Sequence, residues 1–220
     1  QCWHCNEQGS MGRGTKVSAV VPIKTYAADE VDFGGLDYLK ERGISEDTAK
    51  TLGVCSGRKF FKKSGTELDA IGFPYRHQGR VTAIKWRSIS TKEFTQDGSA
   101  QTLFLADKIE PGQDIVITEG ELDAVIVSGV LGIPAVGCPG VANWKSHYPR
   151  LFNGYDTVYV VGDHDVKEDG SNPGAEFNRR VASEVMNATI VNLPAGLDIT
   201  DYYLQNGYDK TRRLLGVVNE

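Results

Sequence analysis

Apolar positions along the chain change their period twice, and each change predicts a different kind of element. Across "LDYLKERGISEDTAKTLGV", residues 36–54, Leu36, Leu39, Ile44, Ala49 and Leu52 fall in a helix–turn–helix rhythm. Gly43 suits the end of the first helix, and Ser45 with Asp47 suits the cap of the second. From Ala70 to Ile89 the pattern becomes alternation about Gln78-Gly79, which predicts a β-hairpin. Side chains repeat with period two on a strand, so Lys85 and Arg87 share a face there. "STKEFTQDGSAQ", residues 90–101, is polar and reads as a mobile loop.

From Asp114 onward short apolar runs alternate with helical spacing. Strands are expected over 114–118, 133–137, 156–161 and 188–193, and helices over 121–132, from near Trp144, and over 173–186. Solidly apolar strands separated by helices predict an α/β fold, a mostly parallel sheet with helices on both faces. That unit spans 111–220, and a small α+β subdomain over 32–110 precedes it. In such sheets ligands sit beyond the carboxyl ends of the strands.

Composition narrows the classes. The 220 residues are 40% hydrophobic, enough for one sizeable domain or a domain with an appendage. No run of about 18 apolar residues and no secretory leader is present, so a cytoplasmic protein is expected, in the host cytoplasm if phage-encoded. A net charge of −5 argues against a protein that coats nucleic acid, but an acidic metal centre with a local basic face fits it. Cys55 and Cys138 are isolated and read as small buried hydrophobes. Cys2 and Cys5 form a C-x-x-C pair, one knuckle of the two that make a four-thiolate zinc ribbon. Residues 1–8 are read as a ribbon remnant whose other half would lie upstream, with a redox pair or a chance spacing as alternatives. Zinc is expected only with the complete ribbon. Residues 9–31 lack periodicity and read as a linker.

Two strands end in acid. "IVITEGELDA" puts Glu119 just past one strand, and "VYVVGDHD" puts Asp163 and Asp165 at the equivalent place on another. In a parallel sheet both ends share an edge, so three carboxylates could converge on one point. Like charges held that close need a counter-ion, and hard oxygen donors suit Mg²⁺ or Mn²⁺. Asp198 follows the next strand, again at a carboxyl end. Glu121 and Asp123 open a helix and read first as macrodipole partners or caps. Taken alone, the D-x-D could equally be a solvated loop.

At these residues the chain resembles the TOPRIM domain, a Rossmann-like metal-binding fold shared by topoisomerases, DnaG-type primases and some nucleases. "TEGELDA" and "GDHD" match its two signature segments, and "LDITDYY" resembles the third acidic segment of the primase branch. "LKERGISEDTAKTLGV", "IGFPYRHQGRVTAIKWRS" and "TLFLADKI" are similar to the region before TOPRIM in bacteriophage primase–helicases and Twinkle helicases. One departure is "VKEDGSNPGAE", several residues longer than the family's step from D-x-D into the next helix. No Walker A motif follows.

The resemblance implies a DNA primase core that makes short RNA primers on single-stranded DNA from ribonucleoside triphosphates, with a replicative helicase fused or associated. It implies a metal centre of Glu119, Asp163 and Asp165, with Asp198 assisting; Glu119 could instead be the general base. It also implies that Lys85, Arg87 and Lys92 grip triphosphate and template, with Lys108 a further nucleotide contact. A solvated strand face is the plain alternative for the first two, and a core position is the plain alternative for Trp86. "GCPG", residues 137–140, could offer amides to a phosphate or be a simple turn. Two rival functions stay open: a TOPRIM nuclease, which would activate water at the same centre, and a non-catalytic scaffold that binds DNA or a replication partner.

Overall fold

The computed structural model describes residues 33–100, 102–112 and 114–216. Cys2, Cys5 and the expected linker lie outside the described residues. Ser45 accepts a hydrogen bond from the Thr48 amide and starts helix α2 (Glu46–Leu52), and Gly53, left-handed at φ 73°, ends it. It packs against α1 (Phe33–Lys40), which lies on the second strand of an antiparallel sheet of β1 (Cys55–Phe61), β2 (Thr66–His77), β3 (Arg80–Ser88) and β4 (Phe94–Gly98), in that order. The β2–β3 hairpin turns at Gln78 and Gly79, with φ 48° and 75°, the positive pair that a tight two-residue turn requires.

The second sheet holds β5 (Ile115–Thr118), β6 (Ala135–Gly137), β7 (Val158–Val161) and β8 (Ala188–Ile190), in the order β6-β5-β7-β8 and all parallel. Helix α3 (Glu121–Val125) runs into a π-helical turn over Ile126–Val130. α4 (Pro173–Glu184) and α5 (Ile199–Leu214) follow, α5 with non-helical backbone at Gly207. No helix among the described residues is long and apolar enough to cross a membrane.

Two expectations are corrected. The polar segment 90–101 contains an edge strand, β4, whose residues alternate between exposed and half-buried along its length. The helix expected near Trp144 is replaced by two 3-10 turns, Val141–Asn143 and Tyr148–Phe152. Pro149 has no amide to give there, and Trp144, Tyr148 and Phe152 reach the core from these short turns.

One core cluster runs from α1, α2 and the inner face of β2 and β3 to α3 and Ile199 of α5, joining the two sheets through apolar contact. A second lies on the other face of the parallel sheet, beneath Phe177 and Val181 of α4. Phe104 bridges the sheets: its backbone pairs with Gly137, and its ring lies 5.6 Å from Phe73 and 5.9 Å from Tyr75. Trp86 is buried and donates its Nε1 hydrogen to Asp97 at 2.9 Å, so it belongs to the core.

Candidate metal and nucleotide site

Three neighbouring strands, β5, β7 and β8, deliver acid to one edge of the parallel sheet. Thr118 at the end of β5 is level with Val161 at the end of β7, and the Glu119 amide donates to the Val161 carbonyl at 3.2 Å. Glu119 then turns back across the gap, where its Oε2 accepts from the Asp163 amide at 3.1 Å. The third segment is tied to the second through His164. Its Nδ1 lies 2.7 Å from the Leu193 carbonyl, its amide donates to Leu197, and its carbonyl accepts from Gly196. The residue between the two aspartates therefore fixes the loop that carries Asp198.

Backbone closeness sets the Asp163 position. A Cβ on Gly162 would stand 2.6 Å from the Gly174 carbonyl oxygen, and one on Gly174 would stand 1.9 Å from the Asp163 carbonyl oxygen. The first turn of α4 is pressed against the D-x-D segment, and only glycine permits it. Asn172 caps that turn by accepting from the Ala175 amide at 2.9 Å. The long 166–172 segment folds on itself, with hydrogen bonds from the Lys167 amide to Ser171 and from Gly170 to Lys167.

These acids open on a cleft of about 600 Å³ between the two sheets. Glu119, Asp123, Asp163, Asp165, Asp198 and Asp201 line its floor, while Lys85, Arg87, Lys92, Phe73 and Phe94 line the wall made by the antiparallel sheet. Of the residues expected at the site, Lys108 lies elsewhere: it is in a separate groove with Pro134 and Ser128, and its ammonium donates to the Thr51 carbonyl near the end of α2. Pro139 and Gly140 reach the cleft as a turn. Arg87 lines the cleft with its Nε buried and without a hydrogen-bond partner. The Phe94 ring lies 4.9 Å from the Lys85 ammonium and 5.5 Å from the Arg87 guanidinium carbon.

Glu121 and Asp123 stand in the first turn of α3 without capping it, and their hydrogen bonds go to other elements. Asp123 is buried and reaches α5, accepting from the Thr200 amide at 3.1 Å and the Thr200 hydroxyl at 2.7 Å. Glu121 is also buried and faces Tyr75 and Lys85 of the other sheet. Asp198 caps α5 through the Asp201 amide at 2.7 Å. Sequence spacing holds no signal for the Glu121 and Asp123 contacts, because their partners are 36 to 77 residues away.

The floor is electrostatically frustrated. Burial, then the charges of Asp123, Glu119, Asp198 and Asp165, push the Asp163 carboxyl up to about 9. Burial and the Asp198 charge push Asp123 up to about 7. Burial also raises Glu119, against the Asp163 amide that lowers it, and burial raises Asp198, against the Asp201 amide and Arg87. Oxygen donors this short of positive charge are the chemistry that Mg²⁺ or Mn²⁺ satisfies. The acids ring the cleft instead of closing on one point, since no three such side chains among the described residues are drawn into a ready coordination sphere. An ion there would keep several of its own waters, as Mg²⁺ usually does.

A stability test follows from these shifts. Asp163 and Asp123 have folded-state values above the unfolded carboxylate value, so their contribution is fully present below about pH 4 and is lost as pH rises, up to about 9 for Asp163 and about 7 for Asp123. The metal-free chain is expected to melt about 5 °C lower at pH 8.5 than at pH 6. Millimolar Mg²⁺ should recover most of that difference, and scanning calorimetry with and without EDTA checks it.

Residues 114–209 match the Toprim domain family. The gene 57 protein of Mycobacterium phage D29 is 36% identical over 140 residues, which cover 62% of this chain and 87% of that protein. Among solved structures, the primase fragment of the bacteriophage T7 primase-helicase superposes with a TM-score of 0.64 at 22% identity, covering 84% of this chain and 78% of that one. The zinc-binding and RNA polymerase domains of the Aquifex aeolicus primase give 0.65 at 16% identity, covering 84% and 56%. The chain thus belongs to the family of the phage D29 gene 57 protein, and it carries a Toprim domain on the fold of primase catalytic cores.

Proposed function

We propose that this protein is a primase core, joining ribonucleotides into short RNA primers on a single-stranded DNA template. The observation that carries the reading is the cleft itself, with acids from three strand ends on one wall and Lys85, Arg87 and Lys92 on the other. A nucleoside triphosphate with a divalent ion needs both walls, since the ion binds oxygen and the phosphates bind cations. The resemblance to primase folds supports the same reading.

In the reaction the primer 3′-hydroxyl oxygen attacks the α-phosphorus of the incoming nucleotide. A new P–O bond forms, the bond to pyrophosphate breaks, and the hydroxyl proton passes to solvent water. Glu119, Asp163 and Asp165, with Asp198 beside them, would hold the Mg²⁺ or Mn²⁺ that neutralises charge building on the attacking and leaving oxygens. Arg87 would offer its guanidinium to the triphosphate from the cleft wall, and Phe94 offers a half-exposed ring beside it. A helicase, fused or associated, is the proposed replication partner, as in the T7 primase-helicase. A zinc ribbon that includes Cys2 and Cys5 is proposed to read the template. The setting proposed is the host cytoplasm of an infected cell.

The test is incubation with single-stranded DNA, labelled ribonucleotides and Mg²⁺, using a form that carries the complete ribbon. Short labelled RNAs are expected; template cutting would mean a nuclease, and retained binding without either product would mean a scaffold. Arg87→Ala is expected to raise KM for the nucleotide about tenfold while kcat changes less than about threefold, the pattern of lost ground-state binding.

A further inference from the structure

Glu121 lines this cleft without a part in the proposed chemistry, and it faces the basic wall. It is 3% exposed, and both of its oxygens are committed to the opposing sheet. The Tyr75 hydroxyl on β2 donates to Oε1. The Lys85 ammonium on β3 lies 2.9 Å from Oε1 and 2.9 Å from Oε2, with its side chain only 14% exposed. Both oxygens of Glu121 thus face donors of the antiparallel sheet.

Lys85 has a rival set of partners close by. It lines the same cleft as Glu119, and its field already lowers the Glu119 carboxyl against the burial that raises it. An ammonium on a four-carbon stem, beside a crowd of undercompensated carboxylates, would settle among them as their counter-ion. It would then occupy the place a divalent cation needs. A buried ion pair adds little net stability over apolar residues of similar size, so this one calls for a reason other than stability.

We propose that Glu121 is a positioning residue that holds the Lys85 ammonium on the antiparallel-sheet wall, leaving Glu119 and Asp163 open to a divalent cation and Lys85 facing the nucleotide's phosphates. Tyr75 fixes the carboxylate that does the holding. The inference rests on the metal-centre reading above and adds a second requirement to it: the acids bind the ion only while the nearest lysine is engaged elsewhere.

Mn²⁺ affinity, followed by electron paramagnetic resonance on the full chain, reads this without reference to synthesis. Glu121→Gln keeps a partner for Tyr75 but releases Lys85, and is expected to weaken Mn²⁺ binding about tenfold. Adding Lys85→Met should restore the wild-type affinity, while Lys85→Met alone should change it by less than about threefold. The proposal is overturned if Glu121→Gln has no effect, or if Lys85→Met fails to rescue it. It is also overturned if Lys85→Met alone tightens binding as much as Glu121→Gln weakens it, which would be a plain sum of charges. Should Glu121→Gln not fold, Tyr75→Phe loosens the same anchor and is expected to weaken Mn²⁺ about threefold, again rescued by Lys85→Met; an unchanged affinity sinks the idea. Wild-type protein that binds Mn²⁺ but makes no RNA defeats the primase reading and leaves this one standing. Wild-type protein that binds no Mn²⁺ defeats this one.

Discussion

Asp163→Asn is expected to leave the protein inactive and, without metal, harder to melt at pH 8. The two effects have one cause. Asp163 is where burial and four neighbouring carboxylates act together, pushing its carboxyl up to about 9. An amide of the same shape removes the repulsion and keeps the backbone N–H that Glu119 accepts from. Stability should rise by about 5 °C in melting temperature. Primer synthesis should fall at least about a thousandfold, because the amide keeps one oxygen but lacks the negative charge with which Asp163 is proposed to hold the ion. Calorimetry and the synthesis assay, run on one preparation, check both. Retained synthesis would place the ion elsewhere. Lost synthesis together with a lower melting temperature would make Asp163 part of the scaffold instead.

Gly174→Ala is expected to do comparable damage from outside the cleft. The added methyl would stand 1.9 Å from the Asp163 carbonyl oxygen and 2.8 Å from the Asp163 amide nitrogen, and both are backbone atoms that cannot rotate aside. Either α4 recedes or the D-x-D segment shifts. Overpacking of this kind costs about 3 kcal/mol. A shift would also pull the Asp163 amide away from Glu119, so synthesis should drop about a hundredfold in whatever fraction still folds. Melting temperature and synthesis per folded molecule are the two readouts. Unchanged values in both would mean that the helix and strand end are not in such close contact.

Gly174 also shows how far the chain could be read in advance. The acidic strand ends, the parallel order of elements and the Gln78-Gly79 hairpin follow from local pattern, and the structure has all three. The longer step between D-x-D and α4 looked like a departure from the family. In space the extra residues loop outward, and Gly174 still arrives against Asp163. β1 and β4 were not legible, because exposed edge strands such as "FTQDG" carry no apolar alternation and form only where a neighbouring strand offers hydrogen bonds. Glu121 and Asp123 misled for a related reason. Their position at a helix start suggested service to that helix, but their partners are Tyr75, Lys85 and Thr200, brought near by tertiary structure alone. Lys108 looked basic and well placed in its motif, yet it serves the end of α2.

The self-contained loop over 166–172 has a practical consequence. Its internal hydrogen bonds close a short turn, and Asp169 holds Ser171 through both amide and hydroxyl. Its exposed tip is therefore uncoupled in length from the aspartates at its base. A dye attached there would follow directly on the D-x-D segment and is expected to report on nucleotide arrival at the proposed site, turning an elongation that departs from the family into a handle.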